Sequence, residues 1–245
     1  MCWQKTINLD QIDSTNNYFS KALKESKYPE GSIISTSYQN SGKGQGDNTW
    51  ESEKGKNLLF SLVLYPDFLA IENNFLLSKV ISLGILNYLK SKTKEVKIKW
   101  PNDIYINDKK IAGILIENAI KGSSINQCIV GIGLNLNQTQ FISNAPNPVS
   151  LCQVTGKLYS IEEELIKLRD HIQIFYEKLK AAKYDEINKE YINCLYRFNA
   201  FFTYKMNNKS FNAKITGVNE FGHLQIITED REKMEFEFKE IEFVI

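Results

Sequence analysis

The stretch VKIKWPNDIYINDKKIAGILIE, Val96 to Glu117, constrains the fold of this chain more than any other. It reads as a strand, a break at Pro101, and then two strands joined by a turn at Asn107-Asp108. An Asn-Asp pair tolerates the left-handed backbone angles that such turns require. A hairpin here commits its two strands to antiparallel pairing. If the turn uses two residues, Lys110 shares a sheet face with Asp103; a register slip of one residue would put them on opposite faces.

The other segments are laid out around this hairpin. Asp13-Ser14-Thr15 reads as a helix start, followed by Tyr18, Phe19, Ala22 and Leu23 at helical spacing. GSIISTSY (Gly31 to Tyr38) and NLLFSLVLYP (Asn57 to Pro66) read as strands, and Phe68 to Lys90 as a buried helix. CIVGIGLNLN (Cys128 to Asn137) is a further buried strand, and residues 138–148 a loop. A long helix opens at Ser160 with Glu163 in capping-box position, and carries Ile161, Leu165, Leu168, Ile172, Phe175 and Leu179 as a packing stripe. His171 lies on the polar flank of that stripe and is given no catalytic role. Beyond Leu195 the sequence alternates apolar and polar residues between turn signals, which fits four or five short strands in a small β-barrel.

Composition excludes several classes of function. The 245 residues carry 30 basic and 29 acidic side chains, a net charge of +1, so the global basic excess of a duplex-binding protein is missing. Cys2, Cys128, Cys152 and Cys194 form no CxxC pair and have no histidine cluster beside them, which argues against a zinc site and for thiols in a reducing compartment. The N-terminal residues lack the apolar core of a signal peptide. The longest apolar stretch, Phe75 to Leu89, is too short and too interrupted for a membrane span. A cytoplasmic location is expected, with no membrane partner.

SGKGQGDNTW, Ser41 to Trp50, is the segment hardest to read. Its glycines at 42, 44 and 46 do not match a dinucleotide fingerprint, and the next element looks like a strand rather than a helix. Gly55-Lys56-Asn57 lacks the upstream glycine and the hydroxyl of a P-loop. The backbone N–H groups and Lys43 suit an anion; a plain surface loop is an equal reading of the same residues. Trp50 is equally a stacking wall or ordinary core.

Four blocks in order nevertheless resemble the biotin–protein ligases, also called biotin–[acetyl-CoA carboxylase] ligases. They are DSTN from Asp13, GKGQGDNTWESEKGKNL from Gly42, KWPNDIYINDKKIAGILIE from Lys99, and GIGLNLN from Gly131. The resemblance implies an α+β fold with a mixed, largely antiparallel central sheet flanked by helices, of the class II synthetase-like biotin/lipoate ligase type. It also implies a catalytic domain over 1–194 and a C-terminal SH3-like domain over 195–245. The implied reaction has two steps: biotin and ATP give biotinyl-5′-AMP, and the biotinyl group then passes to a lysine of a biotin carboxyl carrier protein. ATP and Mg²⁺ are the implied cofactors; the metal ligands stay unassigned.

Residue by residue, the resemblance assigns Lys110, Lys99 and Lys43 to charge stabilisation in the phosphoryl step, which needs fixed cations. Biotin would meet Ser14, Thr15, Gln39, Gly42, Lys43, Lys110 and Gly113. The nucleotide would meet Gly44, Gln45, Trp50, Asn57, Lys99, Asn102, Asp103 and Asn135. Each assignment has a plainer counterpart: Ser14 as a helix N-cap, Gly113 as a packing glycine, Lys110 as a solvated hairpin lysine. In this reading the glycine segment folds over the adenylate and shields it from water.

The glycine segment departs from the family pattern. Relatives carry arginines through it, whereas this chain has Lys43 and then Gln45, Gly46 and Asp47. Lysine cannot supply arginine's planar two-point contact, so weaker retention of the intermediate is expected. With twelve residues before Asp13, no DNA-reading module is expected, and the reading is a monofunctional ligase, monomer or homodimer, with no nucleic-acid partner. The alternatives are a lipoate–protein ligase of related fold and a noncatalytic biotin-binding module.

Overall fold

A computed structural model of the chain describes residues 3, 5–46, 48–142 and 147–245. Its first layer is a seven-stranded sheet in the order β1-β2-β3-β7-β6-β5-β4. The strands are β1 (Thr6–Ile12), β2 (Ile33–Gln39), β3 (Leu58–Leu64), β4 (Val96–Lys99), β5 (Asp103–Ile106), β6 (Lys109–Lys121) and β7 (Ser124–Leu134). Only β1 and β2 run parallel, with helix α1 (Thr15–Glu25) as their crossover; the other pairings are antiparallel. The mixed, largely antiparallel architecture expected above is the one observed.

Both faces of the sheet centre are covered, which is why β3 reads as an unbroken apolar run with all seven residues buried. On one face, α2 (Phe75–Lys90) and α4 (Ile161–Lys180) pack against Leu58, Phe60, Leu62, Leu64, Val130, Ile132 and Leu134. On the other, Phe19 of α1 packs with Ile34, Val63 and Ile129. The alternate residues of β7 therefore divide cleanly between two cores. Toward the strand's C-terminal end the α1 side changes from Ile129 to Gly131 and Gly133, and the apolar filling stops.

The hairpin turns on Asn107-Asp108 with Ile106 opposite Lys109, and Asn107 takes the left-handed φ of 52°. A bulge follows: Tyr105 pairs with Lys110, but Ile104 pairs with Ala112. Lys110, opposite Tyr105, already shares the face of Asp103; the extra residue brings Gly113 onto that face as well.

Some elements fall elsewhere than expected. β1 was not legible, because its pattern of half-exposed Ile7, Leu9 and Ile12 is diluted by polar neighbours. The helix expected from Phe68 starts at Phe75. The residues ahead of it are held to the β6–β7 turn by an Ala70–Ser124 bridge and the Ile71 N–H to Ser123 carbonyl bond, with a short 3-10 turn at Ile71–Asn73. β7 starts at Ser124 rather than Cys128. The short helices α3 (Leu151–Thr155) and α5 (Tyr184–Asn193) were not anticipated. At Ser160 the side chain accepts the Glu163 N–H at 3.4 Å, which is one half of the expected capping box.

The C-terminal unit is a five-stranded antiparallel sheet, in the order β11-β10-β9-β8-β12. It comprises β8 (Phe201–Met206), β9 (Lys209–Val218), β10 (Leu224–Thr228), β11 (Lys233–Phe236) and β12 (Glu242–Phe243). The Trp100 indole N–H donates to the Gly222 carbonyl at 2.8 Å and so ties this unit to the Pro101 corner. Cys128, Cys152 and Cys194 are buried and free, and Cys2 lies outside the described residues. His171 Nδ1 sits 2.9 Å from Asn87 Oδ1, a surface contact. Among the described residues no helix is long and apolar enough to cross a membrane.

Helices α2 and α4 approach most closely at Gly84, where an added Cβ would lie 2.7 Å from Ile172 Cα. Gly84→Ala would gain helix propensity of about 1 kcal/mol. Overpacking against backbone costs about 1–3 kcal/mol, so we expect a net loss near 1 kcal/mol in urea denaturation. Unchanged stability would show that the helices can part freely.

Between the same helices, the buried Glu164 carboxylate meets Tyr88 Oη at 2.6 Å, Lys92 at 2.9 Å and Lys167 at 2.8 Å. Burial alone would raise its pKa. The lysines and the phenol outweigh that and hold it below the ordinary glutamate value of 4.5. A depressed carboxyl stabilises the fold above its unfolded pKa, and the contribution fades as pH falls through the folded value. Glu164→Gln is expected to cost about 2 kcal/mol at neutral pH and to flatten the acid limb of the stability profile.

Candidate active site

Where the apolar filling stops, a cavity of about 530 Å³ opens on the α1 side of the sheet. Most of its wall comes from the start of α1, the glycine segment, the Pro101 corner with its hairpin, and the end of β7, with Gln39, Phe141, Pro148 and Phe238 completing it. Ser14, Thr15, Gln39, Lys43, Gly44, Gln45, Trp50, Lys99, Asn102, Asp103, Lys110, Gly113 and Asn135 all line it. The structure therefore gathers thirteen residues singled out from sequence around one space.

The glycine segment is a short hairpin rather than a featureless loop. Lys43 bridges Thr49; Gly44 N–H donates to Asn48 carbonyl at 2.7 Å and Trp50 N–H to Gly42 carbonyl at 2.8 Å. Gly46 takes a left-handed φ of 66° at its tip, and Asp47 lies outside the described residues. This flap delivers the Trp50 indole onto the sheet. Gly113 and Gly133 face each other across β6 and β7, and the ring lies over both. A Cβ at Gly133 would stand 2.3 Å from Trp50 Cε2, and one at Gly113 would stand 2.9 Å from Cζ3. Gly113, expected to admit a ligand to the strand, lines the cavity and lies under the Trp50 ring.

The polar end of the cavity is a hydrogen-bonded set. Gln39 Oε1 accepts from Thr15 N–H at 2.8 Å and lies 3.2 Å from Thr15 Oγ1. The Ser61 hydroxyl lies 2.7 Å from Thr15 Oγ1 and 2.5 Å from Asn16 Oδ1, and Asn16 Nδ2 donates to Glu117 at 2.7 Å. Gly131 leaves the space for Asn16, whose Oδ1 would stand 2.4 Å from a Cβ there. Ser14 holds the N-cap position with extended backbone, but its side chain makes no capping bond, so its hydroxyl is left to the cavity. Asn16 and Ser61 were not anticipated as partners; the asparagine of the DSTN block and the glycine alternation of β7 are the signals that pointed there.

The cationic end is built on the hairpin. Lys110 Nζ lies 2.7 Å from Asp103 Oδ1 and 5.7 Å from the centre of the Trp50 ring. Lys99 is the strand partner of Asp103, and its ammonium lies 4.6 Å from the Phe243 ring centre and 5.5 Å from that of Tyr105. Burial lowers the Lys99 pKa, with the Asp103 charge opposing that and Lys110 adding to it. Asn102 Nδ2 donates to Ile114 carbonyl at 2.6 Å and reaches Gln45 Oε1 of the flap at 3.5 Å.

Two assigned residues stand apart. Asn57 does not line the cavity: its amide donates to Gln138 at 2.6 Å and Ser52 at 3.0 Å, and its carbonyl accepts Leu136 N–H at 3.0 Å. All its polar capacity goes into joining the flap's outgoing strand to the end of β7. Gly42 also lies off the lining; a Cβ there would stand 2.5 Å from the Trp50 carbonyl, so it closes the base of the flap. Phe141 and Phe238 are lining residues that the sequence did not indicate.

Two buried polar atoms in the cavity wall lack a partner among the described residues: the Trp50 indole N–H and Asn135 Oδ1. Buried polar groups are nearly always satisfied, so these two atoms, shut away behind the cavity surface, leave polar capacity in its wall unused. Beside them stand two apolar ring faces and three ammonium groups, a donor set suited to an elongated, partly apolar molecule bearing negative charge at one end.

The family to which this architecture belongs is set by comparison. Residues 9–135 match the Biotin/lipoate A/B protein ligase family, and the chain belongs to that family. It is 33% identical over 165 residues to the biotin–[acetyl-CoA-carboxylase] ligase of Paracoccus denitrificans, covering 64% of this chain and 67% of that one. It is 32% identical over 136 residues to the bifunctional ligase/repressor BirA of Bacillus spizizenii, covering 55% of this chain but only 41% of that protein. Among solved structures, the biotin protein ligase of Aquifex aeolicus in complex with biotin and ATP superposes with a TM-score of 0.80 at 28% identity, over 98% of this chain and 99% of that one.

The glycine cradle gives a direct test. Gly133 has no left-handed φ, so Gly133→Ala acts through the indole alone. We expect Trp50 to be displaced, with a red-shifted tryptophan emission that disappears when Trp50→Phe is added, and a loss of about 1–3 kcal/mol. Unshifted emission would place Trp50 off the glycines.

Proposed function

We propose that this protein is an ATP-dependent biotin–protein ligase, which forms biotinyl-5′-AMP and transfers the biotinyl group to a lysine of a biotin carboxyl carrier domain. The observation that carries the reading is the juxtaposition of Lys110–Asp103 with the Trp50-covered slot, in a family whose similar solved structures hold biotin and ATP.

In the first step a biotin carboxylate oxygen attacks the α-phosphorus and pyrophosphate leaves. Both reactants are anions, so the barrier falls when fixed cations face the developing charge. Lys110 is held by Asp103 and can turn from that carboxylate to the arriving one without crossing the site. Lys99 supplies a second, partly desolvated cation, and Lys43 a third from the flap. Thr15, Gln39 and Ser14 present the directional donors and acceptors that a ureido ring needs, and Trp50 forms the apolar wall. In the second step the carrier's lysine amine attacks the activated carbonyl, AMP departs and an amide forms; the flap hairpin excludes water meanwhile.

Mg²⁺ supplies charge neutralisation on the phosphates when it is bound. Among the described residues no cluster of His, Cys, Asp and Glu forms a metal site by itself. That suits a cation arriving with the triphosphate and keeping most of its waters, with Asp103 as the available carboxylate. The reading carries no nucleic-acid partner, since Glu229, Asp230, Glu232, Glu235, Glu237, Glu240 and Glu242 give the C-terminal sheet an acidic surface.

Pyrophosphate exchange into ATP should depend on biotin and not on lipoate, and a carrier domain should gain one biotinyl mass on one lysine. Lipoate-driven exchange would move the assignment to the sister activity. Lys110→Ala should lower biotin-dependent exchange about a hundredfold without altering the circular dichroism spectrum. Retention of full exchange would remove Lys110 from the chemistry.

A further inference from the structure

The polar end of the cavity continues into the sheet as a chain of hydrogen bonds, and its last member is a carboxylate. Gly113, Leu115 and Glu117 follow one another at alternate positions of β6; the first two line the cavity and Glu117 lies beyond it. Asn16, buried in the first turn of α1, spans the gap. Its Nδ2 lies 2.7 Å from Glu117 Oε2 and 3.4 Å from the Leu115 carbonyl. Its Oδ1 lies 2.5 Å from the hydroxyl of Ser61, a buried residue of β3, and that hydroxyl lies 2.7 Å from Thr15 Oγ1 at the cavity wall.

The chemistry of the groups fixes where each hydrogen lies. A carboxylate and a backbone carbonyl accept and cannot donate. Asn16 therefore turns its NH₂ toward Glu117 and Leu115 and its amide oxygen toward Ser61. That oxygen can only accept, so it takes the single Ser61 hydrogen. Ser61 Oγ then accepts the Thr15 hydrogen. With its hydrogen committed there, Thr15 Oγ1 has none for Gln39 Oε1 at 3.2 Å. Gln39 Oε1 instead accepts the Thr15 N–H at 2.8 Å, which turns the Gln39 NH₂ away from that bond. The wall thus presents an acceptor, Thr15 Oγ1, beside a donor, Gln39 Nε2. A ring urea carries the complementary pair, an N–H next to a C=O.

We propose, resting on the ligase reading for the ligand, that Glu117 is a positioning residue for biotin: through Asn16 and Ser61 it fixes the direction of the hydrogens, so that Thr15 meets the ureido N–H as an acceptor. An amide in place of the carboxylate lets the chain run in reverse. The introduced NH₂ donates to Asn16 Oδ1, the turned Asn16 amide donates to Ser61, and Ser61 donates to Thr15. The Thr15 hydrogen then confronts the ureido N–H, and a buried donor facing a donor weakens binding. Loss of negative charge alone would act in the opposite sense, because biotin is itself an anion.

Titration calorimetry with biotin on the full chain is the test. Glu117→Gln is expected to weaken biotin about tenfold while ATP affinity and the thermal midpoint stay at wild-type values. Asn16→Asp combined with Glu117→Gln exchanges amide and carboxylate across one contact and restores an acceptor facing Ser61. That double variant is expected to bind biotin within about threefold of wild type. Unchanged or tighter biotin binding by Glu117→Gln overturns the proposal. So does a double variant that folds and stays as weak as the single one. An equal loss of ATP affinity, or a lowered midpoint in Glu117→Gln, would mark Glu117 as packing and also overturns it. Nuclear Overhauser contacts of the Asn16 NH₂ protons read the order without ligand, and without the double variant. In the wild type they should reach Leu115 and Glu117, and in Glu117→Gln they should appear at the Ser61 methylene; contacts that stay on β6 in Glu117→Gln overturn the proposal. If the wild type binds no biotin, the ligase reading falls and these contacts still decide the hydrogen order.

Discussion

The structure turns on the contact between one indole and two glycines. Trp50 can lie flat on the sheet only because Gly113 and Gly133 are cross-strand neighbours with nothing projecting between them. Everything around the cavity follows from that contact. It anchors the flap at its C-terminal end, sets the distance between the flap and Lys110, and leaves the buried indole N–H without a partner among the described residues. An alanine at either position would place its methyl inside the ring. The usual penalty for glycine in a strand, lost packing and added backbone entropy, is accepted here because the side chain of a distant residue fills the gap.

β7 shows how a single strand serves a core and a site at once. Its even-numbered residues, Cys128, Val130, Ile132 and Leu134, are buried in the large core. Its odd-numbered ones run from Ile129, under α1, through Gly131, shaped to Asn16, and Gly133, shaped to Trp50, to Asn135 with an unpaired carbonyl. The face changes from apolar contact to open polar space within three alternate positions. Charge is distributed with similar economy. Asp103 sits between Lys99, its strand partner, and Lys110, its ion-pair partner, so two ammonium groups share the space at the cost of one carboxylate.

Much of this was legible in the residues themselves. The Asn107-Asp108 turn announced its hairpin, and the two-residue count placed Lys110 on the face of Asp103. The bulge after Lys110 could not be read from the pattern, and it is what sets Gly113 rather than Ala112 opposite Asp103. The packing stripe of α4 was plain because it is long and periodic, whereas α3, five residues long, offers no period to detect. Residues from the compact motifs do come together around the cavity. Asn57 lies off the cavity although its motif neighbours line it, because its own amide bonds to Gln138 and Ser52. Phe238 was invisible for a different reason: only the docking of a second sheet, through Trp100 and Gly222, brings it to the cavity.

The flap's own construction has one last implication. Among the described residues its hairpin is stitched chiefly by the Gly44 to Asn48 and Trp50 to Gly42 bonds. Each is worth about 1 kcal/mol, so unzipping the tip is a small excursion next to global unfolding. A hairpin stitched in this way frays from its tip before its base, where the indole is seated on its glycines.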